Sequence, residues 1–205
     1  MEKLYKYHIK TNKKLYIFLL VTFFIGLIAG SLSATYLNSA HSSELANSML
    51  HYINTIQQGK YEVNSGSINL SNIYLGVIMA ISGLFSIGIL IIFFAMGAKG
   101  FLLGFTINYA LMNLGGRGWL LVIFSLIPPT IIVIPTLLFQ AVVAGRVIIQ
   151  RHSGTLINKR SFGKNKIYKE YTILSLCALA LLLFSGIVEV YISPLLLQFF
   201  LNIFY

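Results

Sequence analysis

From Gly97 to Pro135 the chain is apolar almost throughout, yet it is interrupted by Gly115-Gly116-Arg117-Gly118 and by Pro128, Pro129 and Pro135. No other stretch restricts the possible folds so tightly. Apolarity at this length asks for a membrane, and the interruptions ask for a hairpin within it. The entering limb, Gly100 to Leu114, has about 15 residues where a span ordinarily needs about 20. The returning limb is longer but broken. Each proline lacks a backbone N–H, which leaves the carbonyls of Phe124, Ser125 and Ile131 without their helical donors. Hydrocarbon offers such groups nothing, so this backbone is expected to be buried in protein or lined by water. Ser125, Thr130 and Thr136 stand close enough in sequence to supply partners.

Composition extends that reading to the whole chain. Hydrophobic residues make up 57% of it and charged ones only 10%, the balance of an all-α, polytopic integral membrane protein. The net charge of +10 does not call for nucleic acid. Basic residues sit at the ends of apolar runs, where they set topology and meet the anionic lipid bilayer. A lone cysteine, Cys177, provides neither a disulfide framework nor a thiolate metal site. Aspartate is absent, and the glutamates are Glu2, Glu44, Glu62, Glu170 and Glu189. Aspartate-based proteolysis and Walker-type nucleotide hydrolysis are thereby excluded. No Ser/His/Asp set, HExxH or phosphate loop is present, and no catalytic, cofactor or metal site can be assembled.

The chain divides into one membrane domain, 1–205, with apolar spans at 15–37, 73–97, 100–114, 119–145 and 171–191. About five transmembrane helices result, two of them forming the tight Gly/Pro-rich hairpin. The first run has the basic start and Ser31-Leu32-Ser33 site of a signal peptide, but it is long enough to span and is read as a retained anchor. Residues 38–72 form an outer amphipathic loop, in which Leu45, Met49, Tyr52, Ile53 and Ile56 fall on one helical face. His41, Glu44 and His51 share the opposite face, but His51 sits roughly 15 Å along the helix from His41, too far for one metal ion. Residues 146–170 form a basic cytoplasmic connector. The tail from Leu195 is too short to span again and is expected at the interface. With the N-terminus and connector inside, thirteen of the fifteen Lys and Arg are cytoplasmic, Lys99 among them, and the C-terminus lies outside.

Two sets of residues invite a role. Gly26, Gly30 and Ala34 recur every fourth residue, and Gly100 and Gly104 form a second small-xxx-small pair. Such ridges let helices approach closely, here within the chain or between two copies as a homodimer. Glu189 is the one acidic residue within a span, about a turn from its outer end. There it can reach water, pair with Arg117, cap backbone freed by a proline, or handle an ion; a structural anchor against the hairpin is the favoured reading.

The order of these features resembles a family. Lys99-Gly100-Phe101-Leu102-Leu103-Gly104-Phe105-Thr106, then Ile127-Pro128 with Pro135 beyond, then Glu189-Val190-Tyr191-Ile192-Ser193-Pro194, is similar to the stage II sporulation protein M family of endospore-forming bacteria. The likeness covers nearly the whole chain. More distant relatives tend to carry Pro-His-Gly-x-x-Glu in the second limb, where this chain has Pro128-Pro129-Thr130-Ile131-Ile132-Val133; polar functions of the wider superfamily are therefore not carried over. The resemblance implies a non-enzymatic scaffold in the mother-cell membrane at the sporulation septum. Its implied partners are the stage II sporulation proteins D and P, a lytic transglycosylase and an amidase that thin septal peptidoglycan during forespore engulfment. Docking would fall to the outer amphipathic helix and to Glu189, Tyr191, Ser193 and Pro194. The main alternative is a small transporter or channel, with the helix broken at Pro128-Pro129-Pro135 lining its path. An intramembrane enzyme is least compatible with the residues present.

Overall fold

A computed structural model describes residues 12–36, 39–59, 70–152 and 161–204. These residues are helical throughout apart from short turns, with no strand among them. Seven α-helices follow one another: α1 Lys13–Thr35, α2 Ser39–Gln57, α3 Ser71–Ser82, α4 Gly88–Leu120, α5 Ile127–His152, α6 Ser161–Ile187 and α7 Ser193–Phe204. Wider π-helical turns, Leu121–Leu126 and Val188–Ile192, join α4 to α5 and α6 to α7. Among the described residues, three helical stretches are long and apolar enough to cross a membrane: Lys13–Thr35, Gly88–Arg151 and Ile167–Ile203. Their outward faces carry large apolar side chains, including Phe24, Ile28, Leu90, Phe94 and Leu183. Water would reject such a surface and lipid accepts it.

The core is built on α4 and α5. Leu19 and Phe23 of α1, Met79 of α3, Ile92 and Met96 of α4, Leu137 and Ala141 of α5 and Leu182 of α6 meet in one buried cluster. Helix α1 lies along α4 in parallel, Gly26 against Gly97 and Gly30 against Phe101. Farther along, the Asn108 amide donates to the Ser31 carbonyl at 2.7 Å. A second cluster joins Ile53 and Ile56 of α2 to Ala110, Leu121, Leu197 and Leu201. The apolar stripe of α2 therefore covers α7 and the region around the α4–α5 junction.

One boundary differs from the sequence expectation. The span expected over 73–97 is broken at Gly83–Ile87, where α3 ends and α4 begins. Lys99, expected to end a span, lies inside α4 instead, about 17 Å along the helix from Gly88. Two features explain the shift. Gly88 comes against the backbone of Ser82, an approach that only a residue without a Cβ permits, so the chain can turn there. The Lys99 ammonium finds a partner within the protein, so its charge need not stop the helix. At twelve residues, or about 18 Å, α3 alone is shorter than the roughly 30 Å of bilayer hydrocarbon. The turn is held from below by Arg151, which donates to the Leu84 carbonyl at 2.5 Å and to the Tyr168 hydroxyl at 2.6 Å.

Gly115 interrupts α4 with φ 52° and ψ −125°, outside helical geometry and in a region that favours glycine. Beyond it Gly118 lies directly against the Ala110 carbonyl. In an unbroken helix residues eight apart would be about 12 Å apart along the axis.

Candidate functional site

Both π-helical turns precede prolines, and the prolines explain them. Pro128 and Pro129 occupy the first turn of α5, where a missing N–H is tolerated. Pro194 stands in the same place in α7. A π turn widens the backbone just before each proline, a feature that recurs at functional sites in helices. The expected donors turn elsewhere than to the freed carbonyls. Thr136 donates to the Ile132 carbonyl, one residue past the one that Pro135 frees, at 2.7 Å, and the Ser125 hydroxyl pairs with the Tyr52 hydroxyl of α2 at 3.3 Å. In the second π turn Ser193 donates to the Val188 carbonyl at 3.3 Å.

The two π turns border one cavity of about 450 Å³. Helix α2 contributes Tyr52, and the start of α3 contributes Ser71 and Asn72. Lys99 and Thr106 enter from α4, Ser125 and Thr130 from the two sides of the first π turn's junction with α5, and Glu189 from the second π turn. Leu103, Pro129 and Val133 complete an apolar floor. The Lys99 Nζ donates to the Asn72 Oδ1 at 2.5 Å, and Lys99 also lies within the field of the Glu189 carboxylate. A cation and an anion thus share a small polar chamber enclosed by apolar helices. Charges in such surroundings persist only when opposed by charge or held by hydrogen bonds.

Of the residues singled out by sequence, Gly26, Gly30, Gly100 and Gly104 meet at the α1–α4 seam. Ala34 is buried farther along α1. The seam lies within the chain, so these faces are already covered. Gly115 and Gly116 are exposed at the break in α4, Pro129 lines the cavity, and Pro135 is exposed within α5. Ser193 and Pro194 are buried, while Tyr191 is exposed beside a small cleft that Pro194, Ile56 and Gly59 also line. Arg117 does not line the cavity with Glu189. His41 lies within α2, while Lys60 and residues 153–160 of the basic connector lie outside the described residues.

From the sequence, Lys99 has a place as a span end and in the family motif but no place in a site, and Asn72 has none. The signal was present: Lys99 is flanked by apolar runs on both sides, and Glu189 is the acidic residue of another apolar run. Opposite charges of this kind, one in each of two spans, find each other once the spans pack.

Fold and site together define an all-helical membrane protein with a charged chamber in its interior. The family model described as Stage II sporulation protein M matches residues 19–194, and the chain belongs to that family. No curated protein and no solved structure matches it. Membership makes this a sporulation-related membrane protein.

Proposed function

We propose that the protein is a non-enzymatic membrane scaffold that localises peptidoglycan-degrading enzymes for septal wall thinning and forespore engulfment. The family match across residues 19–194 carries this reading. The partners are then the stage II sporulation proteins D and P, held in the mother-cell membrane at the septum. The helical layout is compatible with that role. Helix α2 and α7 form a cap around the α4–α5 junction, with Tyr191 exposed beside the cleft at their edge. This cap offers a partner surface outside the bilayer. The experiment is co-purification from sporulating cells: a tagged chain is expected to bring down both enzymes, and recovery of neither overturns the scaffold reading.

The membrane layout belongs to the same proposal. Crossings by α1, α3, α4, α5 and α6 make five, α3 being a short one that ends at the Gly83–Ile87 turn. On this reading the chain up to the break at Gly115 and the chain beyond it, through α5, are the two limbs of the Gly/Pro hairpin. With Lys99 withdrawn into α4, twelve of the fifteen basic residues mark the cytoplasmic side, and the C-terminus is extracytoplasmic. Cysteines introduced at Lys60 and after Tyr205 are then expected to react with an impermeant reagent in intact cells, and one at Lys164 to stay unlabelled. Labelling of Lys164→Cys from outside would reverse the orientation.

The cavity favours a second reading, transport of a small polar solute. Broken helices around a polar chamber are a recurring way to build a substrate path.

A further inference from the structure

We propose that the chamber around Lys99 and Glu189 is a binding site for a zwitterionic group, with an ammonium at one end and a phosphate or carboxylate at the other. The proposal does not depend on whether the protein is a scaffold or a transporter.

The volume of about 450 Å³ falls within the range of small-molecule sites. What selects the ligand is the arrangement of charge. An ammonium has three N–H donors, and Asn72 engages one of those of Lys99. Ser71, at the start of α3, also lines the chamber, which brings the helix end whose N–H groups favour negative charge to the same wall. Glu189 reaches the chamber from the second π turn. A purely anionic ligand would meet Lys99 but be opposed by Glu189. A purely cationic ligand would meet Glu189 but be opposed by Lys99. A zwitterion satisfies both, and each contact is strengthened where the helices exclude water. The hydroxyls of Tyr52, Thr106 and Ser125 add neutral donors and acceptors around it.

This chemistry has two sources beside a membrane: an aminophospholipid headgroup, and a free amino acid or amino-phosphate. The experiment uses the full-length protein in a neutral detergent, with binding read by native mass spectrometry and by thermal shift. The probes are a short-chain phosphatidylethanolamine, a short-chain phosphatidylglycerol, phosphorylethanolamine, L-alanine and ethanolamine. Saturable binding is expected for at least one zwitterion, and its affinity should exceed that for phosphatidylglycerol and ethanolamine by about tenfold. Binding of phosphatidylethanolamine alone assigns the lipid source, and binding of either small zwitterion assigns the soluble one. Lys99→Gln and Glu189→Gln should each weaken the bound zwitterion by about tenfold. Thr130→Leu, which narrows the chamber and leaves both charges in place, should weaken it as well and serves if a charge variant does not fold. Three results overturn the proposal: no saturable binding, equal binding of phosphatidylglycerol, or zwitterion binding unchanged in the variants that fold.

Discussion

Gly30→Ala and Gly104→Ala are each expected to destabilise the protein by about 3 kcal/mol, far beyond what one added carbon usually does. A Cβ at Gly30 would run into the Phe101 carbonyl, and one at Gly104 into the Leu27 carbonyl. Those obstacles are backbone, so no change of rotamer relieves them, and the two helices must part. Alanine gains up to about 1 kcal/mol in helix propensity over glycine, which offsets only part of the loss. Gly97 is the internal control. A Cβ there would meet the Thr22 methyl at 3.6 Å, an ordinary contact, so Gly97→Ala should stay within about 0.5 kcal/mol of the parent or gain slightly. Leucine at Gly26, Gly30, Gly100 or Gly104 should abolish the folded, monodisperse species altogether. Thermal melts of detergent-solubilised protein make the comparison. Equal melting of Gly30→Ala, Gly104→Ala and Gly97→Ala would show that the seam does not depend on its glycines.

The second large effect is expected at the charged chamber. Lys99→Leu or Glu189→Leu leaves an opposite charge among apolar helices, and each should cost about 3 kcal/mol. The double variant Lys99→Leu/Glu189→Leu should be more stable than either single one, because it removes both charges together. If the single losses simply add, the two residues are not partners. Glu189→Gln keeps the size and much of the hydrogen bonding but also removes the charge opposing Lys99, and should melt between the parent and Glu189→Leu. The same variant separates scaffold from transporter. A scaffold carrying Glu189→Gln should keep its enzyme partners and septal thinning, whereas an ion-coupled transporter should lose activity as completely as with leucine. Loss of thinning with expression and partners intact would make charge the requirement and set the scaffold reading aside.

Much of this architecture could be read from residue order. Apolar runs of bilayer length, the four-residue spacing of Gly26, Gly30 and Ala34, and the stripe on α2 are local patterns, and local patterns survive without a structure. The sequence also left open whether the glycine ridge serves one chain or two copies, because spacing says that a close approach occurs but not with what. A lysine among apolar residues reads as a span end, which puts the boundary at Lys99 instead of at the Gly83–Ile87 turn. That rule fails when another helix supplies the partner. Asn72 belongs to the polar segment by composition, yet it is buried, since its value lies in what it meets across 27 residues of chain. The chamber was illegible for the same reason: its walls come from six separate elements, none polar enough alone to announce a site.

The parallel pairing of α1 with α4 has a consequence for how the protein is made. Ser31 and Asn108 touch across 77 residues, and α2 and α3 are synthesised between them. When α1 enters the bilayer its glycine face has no mate. It must wait there, a bare groove exposed to lipid or to any neighbouring helix, until α4 follows in the same direction. Contacts this distant in sequence are slow to close, and an unmatched face invites mispairing in the interval. Newly made chains are therefore most vulnerable between the insertion of the first helix and that of the fourth.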